Sequence, residues 1–120
     1  MLKNLLLVGI GGSLGSMCRY ALSSFINKWG IHTAWATFSS NALGCLLLGL
    51  LMALFTRTLN PDLRLLCIVG FCGGFTTFSA FSADTFSLIT KGDYLLASLY
   101  VFGSVFIGFL ALVLGIKIIT

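Results

Sequence analysis

"GFCGGFTTFSAFSADT", residues Gly70 to Thr85, interrupts a long apolar stretch with paired glycines, paired threonines and alternating phenylalanine and serine. Its flanks are hydrophobic enough to enter a bilayer, so its polar atoms stand where lipid tolerates them least. Gly73 and Gly74 each weaken a helix by roughly 1 kcal/mol, and Thr76 and Thr77 add β-branching and hydroxyls that compete for backbone hydrogen bonds. The pattern predicts a helix broken near its own centre. A Gly-lined packing groove is the simpler alternative for the glycines alone. Asp84 weighs against it, because a carboxylate about two turns past the break requires water or a partner.

The surrounding chain sets the class. Of 120 residues, 58% are hydrophobic and 8% charged, and the mean hydropathy is +1.09, values that belong to an integral membrane protein. The net charge of +4 comes from basic residues scattered singly at Lys3, Arg19, Lys28, Arg57, Arg64, Lys91 and Lys117. No cluster follows a phosphate backbone, so nucleic acid is not an expected partner. Cys18, Cys45, Cys67 and Cys72 lie in apolar stretches without C-x-x-C spacing and read as small buried hydrophobes rather than metal or redox groups. Lys3 before an apolar run imitates a signal peptide. That run is too long, carries Arg19 and lacks a small-x-small cleavage site, so a retained first span is expected.

A bilayer core of about 30 Å takes roughly 20 apolar residues in a helix. Three interruptions leave pieces of that length: "NKWGIH" at 27–32, "TRTLNPDLR" at 56–64 and "KGD" at 91–93. The expected spans are about 4–26, 33–55, 65–90 and 94–116, forming one all-α membrane domain over 1–120 without internal repeat or linker. Lys3, Arg57, Arg64 and Lys117 lie on one side and Lys28 and Lys91 on the other. So weak a bias permits insertion either way up and an antiparallel pair of copies.

With span midpoints near residues ~15, ~44, ~78 and ~105, polar residues converge at one depth. Asn41 lies within a turn of its midpoint, Thr76, Thr77 and Ser79 flank theirs, Ser104 sits almost on its own, and Arg19 is about one turn away. Taken singly, each hydroxyl can bond its own helix and Asn41 can tie two helices together. Taken together, such a group is expensive in lipid unless it lines a path for water or ions. Glycines elsewhere read as packing: Gly11/Gly15, Ser40/Gly44 and Ser104/Gly108 are small residues four apart. "GIGGSLG" at 9–15 imitates a dinucleotide-binding loop, but no acidic residue follows before Asp62.

The proposed lining is an amide, hydroxyls and two phenylalanines one turn apart, Phe78 and Phe81, with little negative charge. Amide and hydroxyl donors and the positive edges of aromatic rings suit an anion. Phenylalanines at helical spacing are otherwise simply core.

"GGSLGSMCRY" (11–20), "SNALGCLLLG" (40–49) and "GFCGGFTTFSAFS" (70–82), in that order over four spans, resemble the CrcB/Fluc family of bacterial fluoride channels. The third motif is the specific one, and the resemblance covers essentially the whole chain. It implies a dual-topology antiparallel homodimer in the bacterial inner membrane, with two fluoride pores, a third helix broken at the membrane centre and a structural Na+ at the dimer interface. It places the pore amide on Asn41, the two aromatic rings on Phe78 and Phe81, a polar track on Tyr100 and Ser104, and the Na+ ligands on the backbone carbonyls of Gly73 and Thr76. Gly108 stands where many relatives carry a hydroxyl. Arg19 matches the motif's basic residue and, with Thr77, Ser79 and Asp84, is assigned to the pore or its vestibule. Passive exit of cytoplasmic fluoride, trapped after entry as HF, is the implied activity, and no enzymatic step is expected.

Two other classes fit the sequence less well. A small multidrug-resistance type exporter has a membrane-embedded Glu in its first span, whereas this chain has no Glu anywhere. A non-transporting membrane assembly protein would use its glycines for packing alone, and liposome flux separates it from a channel. No nucleophile, base and orienting group stand at a recognisable spacing for catalysis.

Overall fold

The second and third apolar runs begin at a polar residue whose side chain accepts free backbone donors. In the computed structural model, which describes residues 1–58 and 60–120, α1 spans Leu2–Asn27. The second helix, α2, spans Thr33–Arg57, and its N-cap His32 accepts the Ala34 N–H at Nδ1 (3.1 Å). The third span begins at Pro61, where fixed φ and a missing N–H are harmless, and Asn60 Oδ1 accepts from Asp62 and Leu63 at 3.1 and 3.2 Å. Its first half, α3, covers 61–75, and its second half, α4, is Phe78–Thr90. The last helix, α5, is Tyr94–Ile119. After α1 and α4 the chain turns through Gly30 and Gly92 at φ 69° and 81°, a left-handed conformation that other residues adopt only under strain.

The loops are tighter than the sequence suggested. Helix continues through Arg57 and resumes at Pro61, so most of the expected 56–64 interruption is helical; its Leu59 lies outside the described residues. Asn-Pro-Asp is itself a helix start. Four helical stretches, Leu2–Asn27, Thr33–Arg57, Pro61–Thr90 and Tyr94–Ile119, are long and apolar enough to cross a membrane. Large apolar side chains on all of them are exposed, among them Leu6, Phe25, Phe102, Phe106 and Phe109. A surface this apolar belongs in lipid or against another chain. The protein is a multi-pass membrane protein.

Packing divides the molecule into two tight pairs, α1 with α3 and α2 with α5. Both are held by glycines that admit backbone from the facing helix. A Cβ on Gly11 or Gly15 would run into the carbonyls of Leu66 and Phe71, and one on Gly74 into that of Gly12. Across the other pair, Gly49 faces the Leu112 carbonyl and Gly115 that of Leu46. Such contacts drive helix association where no hydrophobic force acts between helices. The facing segment of α3, Leu65–Cys72, is wound as a π-helix. A smaller apolar cluster of Ala34, Leu88, Ala97 and Tyr100, with Leu88 only 2% exposed, docks α4 against α2 and α5.

Candidate functional site

The last α-type hydrogen bond of α3 runs from the Thr76 N–H to the Cys72 carbonyl (3.0 Å). Thr76 (φ −88°, ψ 152°) and Thr77 (φ −149°, ψ 123°) are then extended, and helix restarts at Phe78. Three side-chain interactions hold the chain in this form. Thr76 Oγ1 donates to the Cys72 carbonyl (2.8 Å), Thr77 Oγ1 accepts the Ala80 N–H as the cap of α4 (3.3 Å), and Asn41 of α2 grips Thr77 from both sides. Asn41 Oδ1 accepts the Thr77 N–H (2.8 Å) while Nδ2 donates to the Thr77 carbonyl (3.1 Å).

The interruption therefore lies at the threonines. Gly73 and Gly74, read from sequence as helix-weakening, are themselves helical. Gly74 serves contact with α1, where its carbonyl accepts from Arg19 Nε at 3.1 Å; the Ser16 hydroxyl, at 3.5 Å, adds little. Among the carbonyls that lose their helical donors are those of Gly73 and Thr76. The Thr77 N–H that would bond Gly73 C=O goes to Asn41, and the Ala80 N–H that would bond Thr76 C=O goes to Thr77 Oγ1. On the α4 side, the opening N–H groups of a 13-residue helix present the positive end of its dipole. Acceptors thus end one half and donors begin the other.

A groove of about 320 Å³ runs past this point, lined by Asn41, Thr76, Thr77, Phe78, Phe81 and Ser104 among others. Six of the residues singled out from sequence meet there. The Ser104 hydroxyl is buried without a hydrogen-bond partner, an unusual state for a polar atom unless a ligand or water completes it. The Phe78 and Phe81 rings lie 5.7 Å apart, and Phe81 continues onto Tyr100 at 5.2 Å. Gly108 also lines the groove, facing Cys45 Sγ. A larger cavity of about 390 Å³ lies beyond Tyr100, but its walls, including Trp35, Phe38, Leu88 and Leu99, are almost wholly apolar. The polar chemistry is in the smaller groove.

The remaining residues sit around it. Tyr100 OH donates to Asp84 Oδ2 (3.2 Å) and Thr33 Oγ1 to Asp84 Oδ1 (3.3 Å), so the carboxylate has two hydroxyl partners. Ser79 is exposed and shares a hydrogen bond with the Thr77 hydroxyl (3.1 Å). Arg19 and Thr77 border a small polar cavity of about 80 Å³ with Ser23, Thr37 and the 1% exposed Ser40. Gly73 is exposed and does not itself line the groove, with open space where a Cβ would be. Sequence reasoning missed the partners, Thr33 of Asp84 and Arg19 of the Gly74 carbonyl. It read Gly44 as a packing residue, and Gly44 does pack closely, against the Thr76 methyl.

Residues 6–116 match the family model described as CrcB-like protein, Camphor Resistance (CrcB). The chain is 44% identical over 117 residues to a protein of Phocaeicola vulgatus named Fluoride-specific ion channel FluC, covering 96% of this chain and 97% of that one. Proteins of the same name from Chlorobaculum tepidum (47% over 106 residues, 87% and 84% covered) and Rhizobium etli (40% over 120 residues, 94% and 93% covered) are also similar. The match spans all four apolar helices and the interrupted third one, and the chain belongs to the CrcB family.

Proposed function

We propose that this protein is a passive channel selective for fluoride, working as a dual-topology antiparallel homodimer with two pores in a bacterial inner membrane. The observation that carries the reading is the orphan Ser104 hydroxyl in a groove shared with the Asn41 amide and the Phe78 and Phe81 rings. The relatives' name supplies the ion. Fluoride is small and strongly hydrated, so it crosses only where closely spaced donors replace its water. Asn41 retains one amide N–H beyond its bond to Thr77, Ser104 has a free O–H, and ring edges add weakly positive C–H groups while excluding bulk water. Larger, more weakly hydrated halides gain less from donors so placed. Arg19 raises the local potential for anions, and Thr77 and Ser79 present hydroxyls where α4 begins.

The dimer is supported by what a single chain leaves uncovered. Phe78 is 78% exposed and Gly73 faces open space, yet both adjoin the polar interruption, which lipid does not tolerate. A second copy over this face closes the groove and puts the interruption at the membrane centre. Na+ fits the same face: the Gly73 and Thr76 carbonyls lack their helical donors, and neutral oxygen ligands suit a hard monovalent cation. When bound, Na+ would lend positive charge between two anion paths and hold the two chains together. Halide-resolved efflux from proteoliposomes tests the function. Fluoride should leave far faster than chloride, and equal rates would remove the selectivity on which the proposal stands.

A further inference from the structure

We infer that Asn41, beyond lining the groove, is the positioning residue for both carbonyls assigned to the cation, through its single hydrogen bond from the Thr77 N–H. The inference rests on the reading of Gly73 and Thr76 as Na+ ligands and adds what sets their geometry. The Thr77 N–H belongs to the peptide unit whose carbonyl is that of Thr76. None of the described peptide bonds is cis, so this unit is planar and trans, and its N–H and C=O point in opposite directions. With the N–H fixed on Asn41 Oδ1 at 2.8 Å, the Thr76 oxygen is turned away from Asn41. The same N–H is the one that an unbroken helix would deliver to the Gly73 oxygen. One bond therefore aims the first carbonyl and frees the second. Without it, the Thr77 N–H has a ready alternative partner in Gly73 C=O, the helix can close over that oxygen, and the Thr76 oxygen turns with the same peptide unit.

The second Asn41 contact, Nδ2 to the Thr77 carbonyl (3.1 Å), acts on the following peptide unit and steadies the grip without aiming either ligand. The anion-facing amide and the cation-facing carbonyl thus lie at opposite ends of one rigid plane. Binding at either end restricts the same rotation, so the two ions favour each other's sites reciprocally.

The test measures Na+ without relying on flux. Thermal unfolding of purified protein is followed in fluoride-free detergent solution as Na+ replaces N-methylglucamine at constant ionic strength. Asn41→Ala should need about tenfold more Na+, or more, for half-maximal stabilisation. Asn41→Asp keeps the acceptor and gives up the donor, and should stay within about threefold of the native protein. Ser104→Ala lines the same groove without touching the peptide, and should lose fluoride efflux while leaving the Na+ midpoint unchanged. An Asn41→Ala midpoint equal to the native one overturns the inference, as does an Asn41→Asp midpoint shifted as far as that of Asn41→Ala. Native protein indifferent to Na+ instead removes the cation reading itself. A measurement on the native chain covers the case in which Asn41→Ala does not fold: Na+ should slow hydrogen exchange of the Thr77 amide severalfold, and unchanged exchange there, with stabilisation elsewhere, also overturns the link.

Discussion

Replacing Gly44 with alanine adds one methyl group where α2 meets the interruption of the third span. The added carbon would penetrate the Thr76 methyl and lie 3.2 Å from Phe75 Cδ1. Two carbons rest comfortably at about 3.5–4.0 Å, so Thr76 has to withdraw by about 1 Å. It cannot do so by rotation alone, because its hydroxyl is held on the Cys72 carbonyl at 2.8 Å. Overpacking of this kind costs about 1–3 kcal/mol, and breaking the hydroxyl bond about 1 kcal/mol more. At 1.4 kcal/mol per factor of ten, a loss of about 2–4 kcal/mol shifts the equilibrium away from the native interruption about 30- to 700-fold. Fluoride efflux from liposomes, read with an ion-selective electrode, should fall by that order while the protein still elutes as a folded species. Gly108→Ala is the matched control, since its new methyl would meet only Cys45 Sγ at an ordinary 3.5 Å. Its efflux should stay within about twofold of native. Native flux from Gly44→Ala, or equal damage from both, would refute the packing argument.

Phe81→Ile removes a ring that stacks between Phe78 and Tyr100. It should abolish fluoride efflux with little change in elution volume, and undiminished efflux would show the ring edges to be incidental. Gly115→Ala forces backbone apart at the crossing of α2 and α5 and should destabilise by about 1–3 kcal/mol in denaturation, whereas Gly103→Ala, with open space around it, should be neutral or stabilising by up to about 1 kcal/mol.

The spans were legible because hydropathy over some twenty residues needs no knowledge of neighbours. The interruption was legible too, from Gly73, Gly74, Thr76 and Thr77 taken together. What sets the opening at the two threonines rather than the glycines is an amide 36 residues away in sequence. Propensity carries no information about such a partner. The α2 and α5 crossing was missed for a related reason. Small residues spaced four apart were the signal sought, and Gly49 and Gly115 each contribute a single residue to the contact. The Ser104 and Gly108 pair, which has that spacing, makes no such approach: the nearest atom to a Cβ on Gly108 is the Cys45 sulfur. The π-wound turn of Leu65–Cys72 has no sequence signature that we recognise. Convergence of Asn41, the threonines, Phe78, Phe81 and Ser104 was legible because counting residues from each span midpoint places side chains by depth, which needs no tertiary detail.

The interlock of α1 with α3 has a mechanical consequence. Main chain pressed against main chain has no rotamers to rearrange, so that pair shifts only as a block. The segment Phe78–Thr90 is seated by side chains, which yield one at a time. Of the two contacts, the seat of Phe78–Thr90 is therefore the more yielding. A spin label on the Lys91 turn, which joins that segment to α5, should show more motion than one on Lys28, which follows α1.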